Sequence, residues 1–88
     1  MEQKMNEIRV KYRGQLAALT GVPEETFEAE DVEGVLRILG KRHGRGAERT
    51  ARSMLIALNG ESILLLRRYK TPLKDGDVLG FFPLCAGG

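Results

Sequence analysis

Residues 31–44 have the sequence DVEGVLRILGKRHG, and this stretch decides the fold. Its apolar residues recur at the i, i+3, i+4 and i+7 spacing of an amphipathic helix: Val32, Val35, Leu36 and Leu39. Asp31 is a favourable N-cap, and Gly44 suits the position that follows the last turn. Glycines at 34 and 40 each cost about 1 kcal/mol relative to alanine. The predicted helix must therefore be stabilised by packing its apolar stripe against a sheet.

Two strands are predicted before this helix. Residues 5–12 alternate between apolar and charged side chains, and a period of two indicates a half-buried strand. Residues 15–19 are rich in alanine and leucine and predict about one helical turn. Residues 25–30 place Phe27 and Ala29 on one face, which predicts a second strand antiparallel to the first.

The residues after the helix predict a return to the sheet. Residues 44–53 have little apolar content and are predicted to form a loop, whereas residues 54–58 form a nearly continuous apolar strand. Asn59-Gly60 indicates a type I′ hairpin turn, because both central positions of that turn need positive φ. Residues 63–66 are predicted as a short returning strand and residues 78–83 as the last strand.

This element order indicates an α+β fold with one main helix on one face of a mixed sheet of four or five strands. Because the first and last strands can pair at the centre of the sheet, the order resembles the ubiquitin-like β-grasp fold. Residues 1–83 are predicted to form the domain. Residues 84–88 are predicted to form a flexible tail that ends in Gly-Gly.

The composition limits the possible function classes. The chain has 88 residues, 42% of them hydrophobic and 30% charged, as expected of one soluble domain. A net charge of +2 is too small to imply a nucleic-acid partner. No apolar run approaches the roughly 20 residues of a membrane span, and residues 1–7 do not have the pattern of a signal peptide. The single cysteine allows no internal disulfide and no cysteine-based metal site. We therefore expect a cytoplasmic protein with no metal site and no nucleic-acid or membrane partner.

Basic side chains concentrate at the end of the helix and just after it. The members of this basic cluster are Lys41, Arg42, His43, Arg45, Arg49 and Arg52. The cluster could bind RNA, but a solvated helix end and loop is the favoured interpretation. His43 is interpreted as a cation that complements the helix dipole, in preference to a metal ligand or a catalyst.

The two faces of the last strand are predicted to have different roles, one in the core and one at the surface. Leu79 and Phe81 share one face, which we assign to the core beneath the helix. Phe82 then lies on the other face and forms, with Leu84, an exposed apolar patch that leads into the tail. The alternative is that both phenylalanines are buried and nothing is exposed.

Three motifs at the C-terminal end resemble a known family. These are T-P-L-K-D-G-D-V at residues 71–78, F-F-P at residues 81–83, and Gly87-Gly88. Together they resemble the C-terminal third of the small subunit of molybdopterin synthase. The turn at residues 59–61 and the segment at residues 13–21 also fit this family, so the resemblance covers most of the chain.

The resemblance implies a sulfur carrier that is not an enzyme on its own. It implies that a ubiquitin-activating-like adenylyltransferase adenylates the Gly88 carboxylate with ATP, and that a sulfurtransferase persulfide converts it to a thiocarboxylate. The large subunit of the synthase then uses this sulfur to build the pterin dithiolene that binds molybdenum or tungsten. The carrier itself binds no cofactor. Gly87 contributes a thin tip, because glycine has no Cβ and the tail must enter a narrow channel.

The residues just before the glycines are predicted to contact the partner. They are Phe82, Leu84, Cys85 and Ala86. The sequence departs from the family at Leu84, where proline is common, and at Cys85, where a small apolar residue is usual. Cys85 could take part in redox capture or a persulfide relay, but a small hydrophobe in the partner's groove is the favoured interpretation.

Three other functions remain open from the sequence. The chain could carry sulfur for another pathway, such as thiamine or cysteine synthesis, although thiamine-type carriers are usually shorter and lack the segment at residues 14–21. It could be a ubiquitin-like modifier whose terminal glycine is conjugated to lysines. It could also be a binding module with an inert tail. Intact mass after activation separates these possibilities.

Overall fold

A five-stranded mixed sheet forms the centre of the computed structural model, which describes residues 6–84. The strands are β1 (Asn6–Lys11), β2 (Glu24–Ala29), β3 (Leu55–Leu58), β4 (Glu61–Ser62) and β5 (Val78–Phe82). Their order across the sheet is β2-β1-β5-β3-β4. The first and last strands are parallel neighbours, whereas the other pairs are antiparallel. The predicted ubiquitin-like β-grasp fold is therefore confirmed.

The helices are α1 (Gly14–Thr20), α2 (Val32–His43) and α3 (Arg45–Arg52), and two 3-10 turns span Ile63–Leu65 and Arg68–Lys70. The predicted main helix is confirmed as α2. Its N-cap is Asp31, whose carboxylate accepts a hydrogen bond of 2.8 Å from the N–H of Gly34. All four residues of its predicted apolar stripe are buried. No helix among residues 6–84 is long and apolar enough to cross a membrane.

The core lies between α2 and one face of the sheet. Alternate residues of the central strands point into it, because successive side chains of a strand point to opposite faces. The largest fully buried side chains are Phe27, Phe81, Ile8, Leu16, Leu36, Leu39, Leu79, Val10, Val32 and Val35. The predicted alternation of the first strand and the burial of Leu79 and Phe81 are confirmed.

The prediction of a loop at residues 44–53 was wrong, because α3 occupies most of it. Ala47 and Ala51 lie one turn apart and are both buried. On the same helix, Arg52 forms an i,i+4 ion pair with Glu48 at 2.7 Å. Two small alanines are the whole apolar face of α3. The helix is therefore polar in composition, and its apolar residues are too few to show a helical period in the sequence.

The prediction of a strand at residues 63–66 was also wrong. The turn at Asn59-Gly60 has positive φ at both residues, as predicted, but the returning strand β4 is only two residues long. The hydroxyl of Ser62 then accepts a hydrogen bond from the N–H of Leu64, which caps a 3-10 turn. In that turn Ile63 alone is buried, so the apolar run does not indicate a strand here.

The turn at residues 74–77 connects β5 to β1 and to the turn at Asn59-Gly60. The Asp75 carboxylate accepts a hydrogen bond of 2.8 Å from the N–H of Glu7 at the start of β1. The Asp77 carboxylate accepts hydrogen bonds from the N–H of Lys74 and from the side-chain amide of Asn59. The two aspartates of the D-G-D motif therefore hold β5 beside β1 and beside the hairpin turn.

Gly40 allows α3 to pack closely on α2. A Cβ at Gly40 would collide with the Glu48 carboxylate and lie 3.2 Å from the Glu48 Cβ. Gly46 in α3 has no atom within 4 Å of an added Cβ. Gly40 is therefore needed for the packing of α3 on α2, whereas Gly46 is not.

We expect opposite effects from alanine at these two glycines. Gly46→Ala should raise the free energy of unfolding by about 0.5–1 kcal/mol through helix propensity. Gly40→Ala should lower it, because the displacement of Glu48 costs about 1–3 kcal/mol and exceeds the propensity gain. Urea denaturation of both variants measures the difference. Equal stabilisation by both substitutions would contradict this account of the contact between α2 and α3.

Candidate functional site: the root of the C-terminal tail

Strand β5 leads directly to the predicted tail. Phe81 is fully buried, Phe82 is half-buried, and Leu84 is 63% exposed. The structure therefore assigns the two phenylalanines to opposite faces, and the alternative of two buried phenylalanines was wrong. Of the predicted site residues, Phe82 and Leu84 are described; Cys85, Ala86, Gly87 and Gly88 lie outside the described residues.

The start of α1 holds the root of the tail. The guanidinium carbon of Arg13 lies 5.2 Å from the centroid of the Phe82 ring, within cation–π distance. Gly14 has a φ of +58°, and a Cβ there would lie 3.0 Å from Pro83 Cγ. Glycine therefore serves two needs at this position, a left-handed backbone and close contact with the proline ring. These contacts define the direction in which the chain leaves the sheet.

An apolar patch lies on the sheet face opposite α2. Phe82 lies beside Leu55, and Gly80 beside Ala57, in the register of β5 with β3. Directly opposed residues of antiparallel strands point to the same face. A Cβ at Gly80 would lie only 2.9 Å from the Phe82 ring, so an edge of the ring lies over this glycine. We call Leu55, Ala57 and Phe82 the outer patch.

Two grooves flank the tail root, and Leu84 lines both of them. The smaller has a volume of about 220 Å³ and lies beside the N-terminal part of α1 and the end of α3. The larger has a volume of about 340 Å³ and lies between the start of β3 and the two 3-10 turns; we call it the turn groove. The sequence analysis missed both grooves, because neither follows from the periodicity of a single segment.

Titratable side chains meet at the end of α2. The Tyr12 hydroxyl donates a hydrogen bond of 2.5 Å to Glu25 Oε2, and His43 Nε2 lies 2.5 Å from the same oxygen. Arg42 donates to the other oxygen of Glu25 at 3.1 Å. Burial and the hydrogen bond to Glu25 raise the pKa of the Tyr12 hydroxyl, so it stays a donor. This cluster joins β2 to the end of α2.

Glu25 remains ionised to lower pH than an ordinary glutamate. Burial opposes its ionisation, but hydrogen bonds from Tyr12, His43 and Arg42 outweigh burial and lower the pKa of the carboxyl below its usual 4.5. A carboxyl whose pKa is lower in the folded state stabilises the fold above its unfolded pKa. That stabilisation is lost as the pH falls through the folded pKa.

We therefore expect the fold to lose stability at acid pH, in part through protonation of Glu25. The free energy of unfolding should fall between about pH 5 and pH 3, and the Glu25→Gln variant should show a flatter pH profile in that window. Glu28→Gln, an exposed change on the same strand, is the matched control and should keep the wild-type profile. Parallel profiles for the wild type and Glu25→Gln, measured by urea denaturation, would contradict the account.

Half of the predicted basic cluster is paired with carboxylates. Arg42 and His43 contact Glu25, while Arg52 makes two hydrogen bonds of 3.0 Å to Glu33 and an ion pair with Glu48. Hydrogen bonds from Arg52 lower the pKa of Glu33. The pairing favours a structural role for these cations over RNA binding. Residues 6–84 contain no group of three metal-ligating side chains.

The two phenylalanines should differ sharply in their effect on stability. Phe81→Ala should lower the free energy of unfolding by about 3–5 kcal/mol, because it empties a fully buried site. Phe82→Arg should cost less than about 1.5 kcal/mol, because the ring is half-buried and the longer side chain can extend into water. Thermal and urea denaturation measure both changes. A loss at Phe82 as large as that at Phe81 would mean that the outer patch is part of the core.

Comparison with known proteins places this geometry in a family. The ThiS family model matches residues 10–88, which is nearly the whole chain. The solution structure of small archaeal modifier protein 1 from Methanosarcina acetivorans is 30% identical, with a TM-score of 0.80, and the match covers 98% of this chain and 100% of that one. No curated protein sequence matches the chain.

Two further similar structures are molybdopterin-converting factors. A putative subunit 1 from Pyrococcus furiosus is 27% identical, with a TM-score of 0.70, and the match covers 91% of this chain and 99% of that one. The complex of subunits 1 and 2 from Helicobacter pylori contains a chain that is 27% identical, with a TM-score of 0.67 and coverage of 93% and 99%. The similarity therefore extends to a protein that binds a partner subunit.

Proposed function

The chain belongs to the ThiS family of ubiquitin-like sulfur carriers, and from this premise we propose that it is the sulfur-donor subunit of molybdopterin synthase. One observation carries the proposal: the family match extends through Gly88, so it includes the terminal Gly-Gly and the motifs at residues 71–83. The 27% identity with two molybdopterin-converting subunits supports this pathway among those that use such carriers. We also propose that the protein works in the cytoplasm.

The proposed chemistry takes place on the Gly88 carboxylate and is performed by partners. A carboxylate has a reference pKa of about 3.3–3.7, so at neutral pH it is ionised and a poor electrophile. The adenylyltransferase joins it to the α-phosphate of ATP and releases pyrophosphate. A sulfurtransferase persulfide then displaces AMP, and a thiol reductant cleaves the resulting disulfide to leave the thiocarboxylate. The carrier needs no cofactor of its own for these steps.

The described residues support a presenting role. Phe82 is half-buried in the outer patch, and the exposed Leu84 lines the turn groove. We propose that partners recognise these two residues together with Cys85 and Ala86, and that Gly87 and Gly88 enter the partner's active site. The partners are the activating enzyme, the sulfurtransferase and the large subunit of the synthase.

A protein modifier is the second candidate function. The 30% identity with small archaeal modifier protein 1 over nearly the whole chain favours it specifically. Both functions begin with an adenylate at the terminal glycine. The fate of the activated carboxylate, whether sulfur or a lysine amine displaces AMP, separates them.

Intact mass after activation tests the proposal. Incubation with the adenylyltransferase of the same organism, ATP and a persulfide donor should add about 16 Da, the mass difference between sulfur and oxygen. Deletion of Gly88 should abolish this gain while leaving the melting temperature unchanged. Ladders of lysine adducts would support the modifier instead, and sulfur transfer by the truncated protein would exclude a role for the Gly88 carboxylate.

Calorimetric titration with the large subunit of the synthase tests the role of the outer patch. Phe82→Arg should weaken binding to the large subunit by at least about tenfold, because it places a charge in an apolar contact. Leu19→Ser, a change at an exposed leucine of α1, is the control for loss of an apolar surface residue. Equal affinities for both variants and the wild type would remove Phe82 from the interface.

A further inference from the structure

The turn groove is mostly apolar and carries only positive charge. It has a volume of about 340 Å³, and no carboxylate residue lines it. Its lining includes Arg52, Leu64, Arg68, Tyr69 and Leu84. The groove therefore offers an apolar floor with arginines at its margin, immediately beside the root of the tail.

The topology keeps this groove open. Strand β4 pairs only with Ala57 and Leu58, so Leu55 and Ile56 have no strand beside them on that side. The chain then enters the 3-10 turns and exposes two adjacent leucines: Leu64 is 61% exposed and Leu65 is 75% exposed. An exposed apolar surface next to an open apolar groove is typical of a protein interface.

Arg68 is held in an unfavourable backbone conformation. Its φ is +54°, in the left-handed region that favours glycine. The buried Thr71 locks this segment, because its hydroxyl accepts a hydrogen bond of 2.9 Å from the N–H of Arg67 and its N–H donates one of 3.0 Å to the Arg68 carbonyl. A glycine would relieve the strain but would lack the guanidinium. The arginine side chain is thus presented at the groove at a cost in backbone strain.

The two arginines at the groove differ in whether their charge is already paired. Arg52 stacks on the Tyr69 ring at 5.1 Å and is paired with Glu33 and Glu48. Arg68 is exposed and forms no ion pair within residues 6–84, so its charge is available to a partner. A partner segment that binds in the turn groove should therefore carry a carboxylate that can pair with Arg68.

We propose that the turn groove binds an acidic, apolar segment of the enzyme that activates the tail. In this complex a hydrophobic side chain of the enzyme packs on Leu64 and Tyr69, while a neighbouring carboxylate pairs with Arg68. Because Leu84 lines the groove and is the first residue of the tail, a segment bound here positions the enzyme at the root of the tail. The proposal rests on the proposed function in that it takes the activating enzyme as the partner.

Matched charge reversals test the groove. Binding of the full-length protein to the purified adenylyltransferase of the same organism is measured by calorimetry without ATP. Arg68→Glu should weaken binding by at least about tenfold, whereas Arg67→Glu, a neighbouring exposed arginine that does not line the groove, should weaken it less than about threefold. Leu64→Ser should also weaken binding, and Leu19→Ser should not.

A glycine variant separates docking from folding. Arg68→Gly should keep or raise the melting temperature, because it relieves the left-handed strain, and should lose affinity to the same extent as Arg68→Ala. Affinity for Arg68→Gly equal to the wild type would overturn the assignment. So would wild-type affinity in both Arg68→Glu and Leu64→Ser, or failure of the wild-type protein to bind the enzyme.

The proposed function is tested separately, by the mass gain of the wild-type protein at a saturating concentration of the adenylyltransferase. If that gain appears in the wild type and the groove variants bind normally, the carrier function stands and the docking site is wrong. If the variants lose affinity but the wild type gains no sulfur, the docking site stands and the carrier function is wrong. A dimer of this chain that Leu64→Ser dissociates would assign the groove to a second copy and overturn the proposal.

Discussion

The parallel pairing of β1 with β5 is the interaction on which the rest of the structure depends. It joins the two ends of the described chain at the centre of the sheet, with Val10 beside Leu79 in the core. Parallel strands cannot be joined by a tight turn, so the whole intervening chain must cross over. The turn at residues 74–77 secures this pairing: the N–H of Gly76 donates to the carbonyl of Glu7, and the N–H of Arg9 donates to the carbonyl of Asp77.

This pairing also makes the two faces of β5 unequal. Helix α2 covers the face that contains Leu79 and Phe81, while Gly80 and Phe82 lie on the opposite face. The strand therefore anchors the fold through Leu79 and Phe81 and leaves Phe82 half-exposed on its other face. Since Pro83 and Leu84 continue from the same strand, the direction in which they leave the sheet is fixed by this buried strand.

The ion pairs of the molecule serve the body of the fold. Arg52 bridges α2 and α3 through Glu33 and Glu48, and Gly40 leaves the space in which Glu48 sits. The Glu25 cluster similarly joins β2 to the last turn of α2. Arg68 differs from these cations, because it lies at the margin of an apolar groove and its backbone is strained. The ion-paired side chains therefore stabilise the fold, whereas Arg68 is exposed and makes no ion pair among residues 6–84.

The sequence by itself determined the elements with strong local patterns. The stripe and caps of α2, the alternation in β1 and the positive φ at Asn59-Gly60 all depend on residues close together in the chain, and each was predicted correctly. Helix α3 was missed because its apolar face is only Ala47 and Ala51, and residues 63–65 were misassigned because Ser62 caps a 3-10 turn there. The alternation of β5 also predicted that Phe82 lies away from the core, but the residues that surround it follow only from the tertiary structure. The outer patch and the turn groove arise from the register between β3 and β5 and from the early end of β4, and such long-range pairing has no local pattern in the sequence.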